Sequence, residues 1–441
     1  MKKGLLALAA LTGTALSANA ALLKISDQTF ANFGLKLQVY GQSLEDAANN
    51  GQDNAIDFTI QNARVYFSGQ LNPIVQFGAN LDFTVTGANT SHEGTSTTKV
   101  RDAFINFHLM PQVNVMAGYY RVPFSRETLT DRYDRIFMPQ DGWVNNAYKD
   151  QILPTLYIAN TAAQVRITAS NVLGGPSLGN AVATTGITDE SDFARDAGVT
   201  VWGNVDVPQA VAIKYYVGIY DGFGDHNAAE AASSSGKDNL GYAFRIQITP
   251  TAWGFQPERG YLVRETYLGN KNAFSIGLGY AASKLDLGTS SYSLKAWTFD
   301  VNWEQKLVFN NIALVPKVEA GYVHKNCDSI PFATTANAAA AATLDKIKTS
   351  YITLGALYDE VVGLGKVGFY LKYEKSKIDT TGLGSIKPSV WTIAVPYYLA
   401  GQNAKVVLQW NHYDYDKAKE VRGANDNNKN SDWTLAFQVE F

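Results

Sequence analysis

The sequence predicts an all-β fold, a transmembrane antiparallel β-barrel of about sixteen strands with short periplasmic turns and long extracellular loops. Three observations favour this fold class. The N-terminus has the form of an export signal, segments of strand length alternate apolar with polar residues, and the connections between them alternate short with long.

The N-terminus is typical of a secretory signal peptide. Lys2 and Lys3 precede an apolar stretch from Leu5 to Leu16, and Ala18-Asn19-Ala20 supplies the small residues that a signal peptidase requires. We therefore predict a signal peptide at residues 1–20 and a mature chain, 21–441, that forms a single outer-membrane barrel domain. The alternative is an N-terminal anchor helix that is retained.

Composition excludes several other classes of protein. No run of 18 or more apolar residues follows residue 20, which argues against an α-helical membrane protein. Cys327 is the only cysteine, so no intramolecular disulfide can form, and its polar surroundings predict an exposed loop. Removal of Lys2 and Lys3 from a chain of formal charge −3 leaves −5, which argues against a nucleic-acid partner.

The period-two pattern is clearest in the last segment of the chain. Its apolar face carries Trp433, Leu435, Phe437, Val439 and Phe441, and its polar face carries Asp432, Thr434, Gln438 and Glu440. Such alternation places one face against lipid and the other against water. A soluble β-sandwich also alternates, but it would have to accommodate many long strands without any second domain signature.

Sixteen segments have this pattern. They lie near 33–43, 57–70, 74–87, 98–109, 112–121, 194–206, 209–221, 238–249, 273–285, 291–307, 311–325, 348–360, 365–378, 387–399, 403–415 and 431–441. The stretch from Thr251 to Asn272 interrupts the alternation of short and long connections. It is either an unusually long periplasmic connection or a further strand pair, so eighteen strands remain an alternative.

Motifs for catalysis are absent. The chain has no nucleophile elbow, zinc-binding helix, Walker loop or dinucleotide fingerprint, and its five histidines are scattered without ligand spacing. We therefore predict that it is not an enzyme and that it binds no cofactor and no metal.

Several segments of the chain carry a resemblance to a known protein family. They are the stretch from Asn62 to Leu71, followed by Val100 to Phe104, and the segments 195–199, 215–222 and 296–304. These segments resemble the phosphate-selective porin O and P family of bacterial outer-membrane proteins. The segment from Ala117 to Glu127 resembles the entry to the family's long third loop, with Arg121 at its basic position. The chain departs from the family at 147–193, which looks inserted, and in lacking a dense run of basic residues.

The resemblance implies a porin of the bacterial outer membrane that passes small hydrophilic solutes by diffusion, with a preference for anions or phosphate. It also implies a homotrimer and a third extracellular loop at about 122–193. Outer-membrane lipid and lipopolysaccharide would surround the barrel. The strand that ends at Phe441 resembles the signal recognised by the barrel-assembly machinery.

Ion choice in such a channel depends on the charges at its narrowest point. The loop supplies basic candidates and opposing acids, which are Arg121, Arg126, Arg132, Arg135 and Lys149 against Glu127, Asp131 and Asp134. Guanidinium groups match phosphate and carboxylate oxygens, so the arginines could bind anions. Alternatively, they pair with the neighbouring acids and hold the loop against the barrel wall.

Strand parity predicts further basic residues in the lumen, namely Arg64, Lys214, Arg245 and Lys317. Acids share the same faces, so the predicted lumen is not strongly basic. Arg121 has the parity of Val113 and Val115, which predicts a bulge at Gly118 if Arg121 is to face inward. A general or cation-preferring porin and a plugged structural or adhesive barrel remain alternative functions.

Overall fold

The structure is a computed structural model that describes residues 21–45, 54–86, 95–138, 156–157, 195–221, 239–287, 290–334, 342–382, 384–414 and 429–441. Within these residues, sixteen antiparallel strands form a closed barrel, and the first of them pairs with the last to complete the ring. The predicted signal peptide lies outside the described residues and stays a prediction.

The barrel strands agree closely with the predicted segments. They are β2 (Phe30–Leu44), β3 (Ala55–Gln70), β4 (Val75–Thr86), β5 (Thr95–Met110), β6 (Val113–Arg121), β8 (Arg195–Val207), β9 (Val211–Tyr220), β10 (Gly241–Thr249), β11 (Ala273–Leu287), β12 (Ser290–Glu304), β14 (Ile312–Thr334), β15 (Ala342–Val362), β16 (Gly365–Thr381), β18 (Ser389–Tyr398), β19 (Ala404–Asp414) and β20 (Lys429–Glu440).

Four short strands add to these. They are β1 (Ala21–Lys24), β7 (Leu156–Tyr157), β13 (Leu307–Phe309) and β17 (Gly384–Ile386). Each pairs with a longer strand of the barrel. In the part of the chain that the structure describes, no helix is long and apolar enough to cross a membrane.

Residue alternation determines the two faces of the wall. On β12, Trp297 and Phe299 point outward and are 46% and 41% exposed, whereas Thr298 and Asp300 point inward and are buried. The outward residues suit lipid, and the inward residues bond to polar groups inside the barrel. The core of the molecule therefore lies in the lumen, where inward polar side chains adjoin buried aromatic and apolar clusters such as that of Tyr120, Trp202 and Tyr261.

The connections differ at the two ends of the barrel. The termini and most of the short turns share one end, which is the periplasmic end, and the long connection after β6 leaves from the other, outer end. Residues Thr251–Asn272 contain no strand pair, so the alternative of eighteen strands was wrong. After a single 3-10 turn at Thr251–Trp253, this segment folds back into the lumen.

Cys327 lies in a different environment from the one predicted. β14 is 23 residues long and extends beyond the predicted end of its segment, so Cys327 falls within the strand and is buried. The prediction of an exposed loop was wrong because polar neighbours such as Asn326 and Asp328 occupy the outer continuation of the strand.

Candidate pore constriction

The chain turns into the lumen where β6 ends. A single helical turn, α1 (Arg126–Leu129), follows, and a capping box stabilises its start: the Ser125 hydroxyl accepts a hydrogen bond from the Thr128 backbone, and the Thr128 hydroxyl accepts one from the Ser125 backbone. A 3-10 turn comes next at Arg132–Asp134. We call residues 122–138 the inner loop.

The inner loop packs directly against the barrel wall. The backbone carbonyl of Phe124 approaches Gly279 of β11 so closely that a Cβ atom at this position would collide with it. Farther along, the Met138 amide donates to Gln409 Oε1 over 2.8 Å, and Gln438 Nε2 donates to the Tyr133 carbonyl over 2.8 Å. The inner loop therefore crosses the lumen from β11 to β19 and β20.

A second segment enters from the periplasmic end. We call residues 251–272 the periplasmic segment. Its Val263 amide donates to the Leu129 carbonyl over 3.2 Å, and Thr130 and Val263 form a parallel β-bridge. The Tyr261 hydroxyl donates to the Arg121 carbonyl over 2.7 Å. The inner loop and the periplasmic segment thus form one layer inside the barrel.

Arg126 joins this layer to the wall. Its guanidinium donates to both carboxylate oxygens of Glu258 over 2.8 and 2.9 Å, and to Glu319 of β14 over 3.2 Å. All three side chains are buried. A buried arginine shared between two carboxylates fixes the position of the inner loop relative to these two residues. Its N–H donors are then occupied and do not present a pair of hydrogen bonds to an anion.

Neighbouring charges are paired in the same way. Glu127 bonds to Arg135 within the inner loop and to Lys372 of β16, whose amine lies 3.0 Å away. Arg245 makes a two-pronged contact with Asp300 over 2.7 and 2.8 Å. The buried pair of Glu127 and Lys372 joins the inner loop to β16, and Arg245 and Asp300 bond to the loop backbone at Phe124 and Arg126 over 3.3 and 3.1 Å.

The other two predicted lysines also face inward and bond to nearby oxygens. Lys317 contacts Glu319 over 2.9 Å, and Lys214 donates to the Gly260 carbonyl of the periplasmic segment over 3.0 Å. Both side chains are buried. The parity rule therefore placed these lysines correctly, but it could not reveal that their partners lie partly on an inserted segment.

The opposite side of the inner loop has a different arrangement of charge. Three cations surround Asp131, because its carboxylate lies 3.2 Å from Lys36, 3.7 Å from Arg64 and 3.6 Å from Arg121. Burial raises the pKa of Asp131, but the attraction of these cations outweighs it and holds that pKa well below its ordinary value. Asp131 is therefore ionised at neutral pH.

A cavity of about 210 Å³ adjoins these charges. It lies between the inner loop and the inner face of β2–β6, and Leu262 of the periplasmic segment also lines it. Among the described residues, its charged lining consists of Lys36, Asp102, Arg121 and Asp131. Arg121 and Lys36 thus face the same cavity.

Arg121 reaches the lumen without the predicted bulge. The pairing of β6 with β5 and β8 continues through Gly118 without a shift of register, and Tyr120 keeps the inward parity of Asn114 and Met116. The bulge prediction was wrong. Arg121 is buried because it is the last residue of β6, where the chain bends inward.

The remaining candidates are distributed as follows. Arg132 is buried in the inner loop, and Asp134 lies 3.3 Å from Arg264 of the periplasmic segment. Arg64 also bonds to Asp82 of β4 over 3.1 Å. Lys149 and the predicted insertion at 147–193 lie outside the described residues, apart from β7.

Several residues of the site were not predicted. Arg101 points inward because a shift of register between Asn80 and Leu81 leaves it as an extra residue, and it pairs with Asp82 over 3.0 Å. Arg195 pairs with Asp102 over 2.9 Å. Glu258 belongs to a segment that has no strand period, so no pattern in the sequence marks it as part of the lumen.

The described residues contain no cluster of three or more histidine, cysteine or acidic side chains that could hold a metal ion. What the arrangement offers chemically is a set of fixed charges around a small cavity that aromatic and apolar side chains also line. Fixed charges of this kind select ions during diffusion and need no reacting group.

Comparison with known proteins agrees with this architecture. The model of the family described as phosphate-selective porin O and P matches residues 32–251. No curated protein sequence matches the chain.

Solved structures with a similar fold include OmpF of Salmonella typhi in complex with daunomycin, with a TM-score of 0.54 and 11% identity over 96% of this chain and 100% of that one. An anion-selective porin from Comamonas acidovorans has a TM-score of 0.51 and 11% identity over 94% and 100%. In-vitro folded OmpT of Vibrio cholerae has a TM-score of 0.50 and 13% identity, over 96% of this chain and 100% of that one.

At these identities the structural likeness shows the fold alone. Together with the family match, it points to a channel rather than an enzyme. The chain therefore belongs to the phosphate-selective porin O and P family and is a porin of the bacterial outer membrane.

Proposed function

We propose that this porin passes small hydrophilic solutes and prefers anions, and that the cavity beside Arg121 is the narrow part of their route. The observation that carries the proposal is the convergence of Lys36, Arg64 and Arg121 on the single carboxylate of Asp131. Three cations around one acid produce a local positive potential, and two of them line the cavity.

The geometry supports a passing contact with anions more than a tight binding site. Arg121 lies 3.6 Å from Asp131, a distance longer than a good charge-assisted hydrogen bond, and it also donates to the Thr128 carbonyl over 3.0 Å. A phosphate or carboxylate solute could exchange with Asp131 at the outer surface of this guanidinium. Conduction requires such weak sites, because an ion that binds tightly does not leave.

The other loop arginines have a supporting role in this proposal. Arg126 and Arg135 are buried in ion pairs with Glu258 and Glu127, respectively. We infer that they hold the inner loop in place while Arg121 faces the solute. In this proposal, the two roles predicted for the loop arginines belong to different residues, anion contact to Arg121 and pinning of the loop to Arg126 and Arg135.

A plugged barrel is the second candidate function. It is favoured by the double layer in the lumen, where the inner loop and the periplasmic segment are joined by Arg126 and by the bridge between Thr130 and Val263. A plugged barrel predicts negligible conductance. A general porin predicts current without preference for the sign of the ion.

We also propose a homotrimer, because the family to which the chain belongs is expected to trimerise. The mass of the detergent-solubilised native protein, measured by light scattering, tests this proposal. A mass of one chain would contradict it.

Single-channel conductance in planar bilayers tests the proposed function. The reversal potential would be measured in a salt gradient, with phosphate titrated, for the wild-type protein and for Arg121→Ala. Arg259→Ala is the matched control, because Arg259 is exposed and pairs with Asp206 near the periplasmic end of β8, away from the cavity.

We expect anion-selective current that phosphate reduces, and a smaller preference in Arg121→Ala but not in the control. Cation-selective or indifferent current in the wild-type protein would contradict the anion preference and leave a general porin. Absence of current would favour the plugged barrel.

A further inference from the structure

The outer wall of the barrel carries a cluster of lysines near the outer ends of two neighbouring strands. Strand β15 presents two outward lysines, and β16 presents two more beside them. We call these four residues the lysine patch: Lys346, Lys348, Lys375 and Lys377. Their inward neighbours, such as Ile347 and Ser376, are buried in the lumen.

Two lysines of the patch face each other directly. Lys348 is the register partner of Lys377, and Lys375 lies opposite Ser350, two residues nearer the membrane centre. Directly opposed side chains of neighbouring strands have Cβ atoms about 5 Å apart, and like charges in such positions are destabilising. Asp379, which is the register partner of Lys346 and lies 2.8 Å from Lys377, offsets part of this repulsion.

The neighbouring carboxylates do not offset all of the positive charge. Asp379 pairs with Lys377 over 2.8 Å, and Asp345 accepts hydrogen bonds from the hydroxyls of Thr343 and Thr381. Among the described residues, no carboxylate lies within ion-pair distance of the other three lysines of the patch. The patch therefore has a surplus of positive charge.

The patch lies at the depth where lipid headgroups begin. Below it on β15 come the exposed apolar residues Ile352 and Leu354, which belong to the lipid-facing band. On β16, Tyr373 lies just below the patch and packs against Trp391, with ring centroids 4.4 Å apart. Aromatic residues of barrels gather at the membrane interface, so the lysines lie on its outer side.

A second aromatic pair borders the patch on the other side. Trp297 stacks on His324 with centroids 5.8 Å apart, and His324 is the register partner of Lys348. The lysine amines can extend along this apolar surface while their charges stay among the headgroups. The outer wall therefore presents an apolar surface at the aromatic pairs and positive charge just above it at the lysine patch. This arrangement matches a lipid whose acyl chains lie below an anionic headgroup.

We propose that the lysine patch binds the phosphorylated headgroup of a lipid in the outer leaflet, with its acyl chains against the aromatic pairs below. Phosphate oxygens accept charge-assisted hydrogen bonds from lysine amines, and two phosphates on one headgroup could neutralise the charge of Lys346, Lys348 and Lys375. This inference concerns the outer wall and does not depend on the ion preference of the pore.

Binding of diphosphorylated lipid A to the detergent-solubilised full-length protein tests the proposal, with the bound lipid counted by native mass spectrometry over a titration. The test variant is Lys346→Gln/Lys348→Gln/Lys375→Gln. The matched control is Lys24→Gln/Lys306→Gln/Lys366→Gln, which removes three exposed lysines at the periplasmic end. The slower gel mobility of the heat-denatured barrel verifies folding of each variant.

We expect the wild-type protein to bind diphosphorylated lipid A at least tenfold more tightly than the dephosphorylated lipid. The test variant should lose that difference, the control should keep it, and replacement of the same three lysines by arginine should restore it. Equal binding of both lipids by the wild-type protein would overturn the proposal without any variant. Equal losses in the test and control variants would also overturn it, because they would indicate attraction to total charge alone.

Discussion

Asp131 decides the balance of charge at the proposed constriction. It lies among Lys36, Arg64 and Arg121, and its low pKa keeps it ionised at neutral pH. Because that pKa is lowered, the stability that the ionised carboxylate contributes is present at neutral pH and is lost only in strong acid. The side chain therefore limits the positive potential of the pore and also anchors the inner loop.

Asp131→Asn should increase the preference for anions. A unit charge at about 4 Å contributes roughly 1 kcal/mol in water, so the ratio of anion to cation permeability should rise about fivefold. Reversal potentials in a potassium chloride gradient measure this ratio. An unchanged or smaller ratio would show that solutes do not pass beside Asp131.

The pH dependence of selectivity should come in part from Asp134. Burial raises its pKa to about 6, although Arg264 lies 3.3 Å from it and opposes that shift. Because the pKa is raised, protonation favours the folded state as pH falls from about 6 toward the ordinary value near 4. Protonation also leaves the positive charge of Arg264 without a partner.

Anion preference should therefore increase as pH falls from 7 to 5. Asp134→Asn should show the higher preference already at pH 7 and should lack the change near pH 6. Reversal potentials of both proteins across this range provide the measurement. A wild-type change that persists in Asp134→Asn would assign it to another group.

At the level of elements, the periplasmic segment holds the inner loop in the lumen. Glu258 is its main contact, through the two-pronged bond to Arg126. Glu258→Ala would leave Arg126 buried with only Glu319 as a charged partner, and breaking a buried ion pair costs about 3–5 kcal/mol. We expect the inner loop to loosen and the channel to open wider.

Glu258→Ala should consequently show a larger and noisier single-channel current than the wild-type protein. Glu360→Ala is the control, because Glu360 is exposed on β15 outside the lumen. Current of normal size in Glu258→Ala would mean that the inner loop stays in place without the periplasmic segment.

Gly279 gives an independent test of the same element. A larger residue here would collide with the Phe124 carbonyl, so Gly279→Val should push the inner loop away from β11 and raise the conductance. Gly260→Ala is a mild control, since a Cβ atom there would meet Leu262 at an ordinary 3.5 Å. A folded Gly279→Val protein with unchanged conductance would contradict this placement of the loop.

For the whole molecule, the seam between β2 and β20 completes the ring. At its periplasmic end, Leu35 and Phe441 exchange backbone hydrogen bonds of 2.8 and 2.9 Å, and the Tyr66 hydroxyl donates to the Phe441 carbonyl over 3.0 Å. Each hydrogen bond contributes about 1 kcal/mol, so they stabilise closure modestly.

Deletion of Phe441 should lower the temperature at which the folded barrel loses its fast mobility in gel electrophoresis. It should also lower the yield of folded protein in the membrane if the assembly machinery recognises this strand. Lys24→Ala, on the short strand β1, provides a control near the same end. Normal yield and mobility of the deletion variant would contradict both expectations.

The amino-acid sequence alone was sufficient to predict the class of fold, the approximate strand bounds and the face of most side chains within regular strands. The alternation of side chains between the two faces of a strand depends only on neighbouring residues. The lumen-facing basic residues could therefore be assigned from their own strands, and they are Arg64, Lys214, Arg245 and Lys317. The loop after β6 was expected from the resemblance to the family and not from periodicity, and of its expected range of about 122–193 the structure describes residues 122–138 and 156–157.

Which charged side chains form ion pairs with one another became evident from the three-dimensional structure. The partners of Arg126 lie more than 130 positions away, on an irregular segment and on β14, and no local pattern connects them. Arg101 faces inward only because of a shift of register, and Arg121 only because its strand ends there. The physical reason is that alternation specifies orientation within a strand, whereas the pairing of charges depends on how separate segments share one enclosed volume.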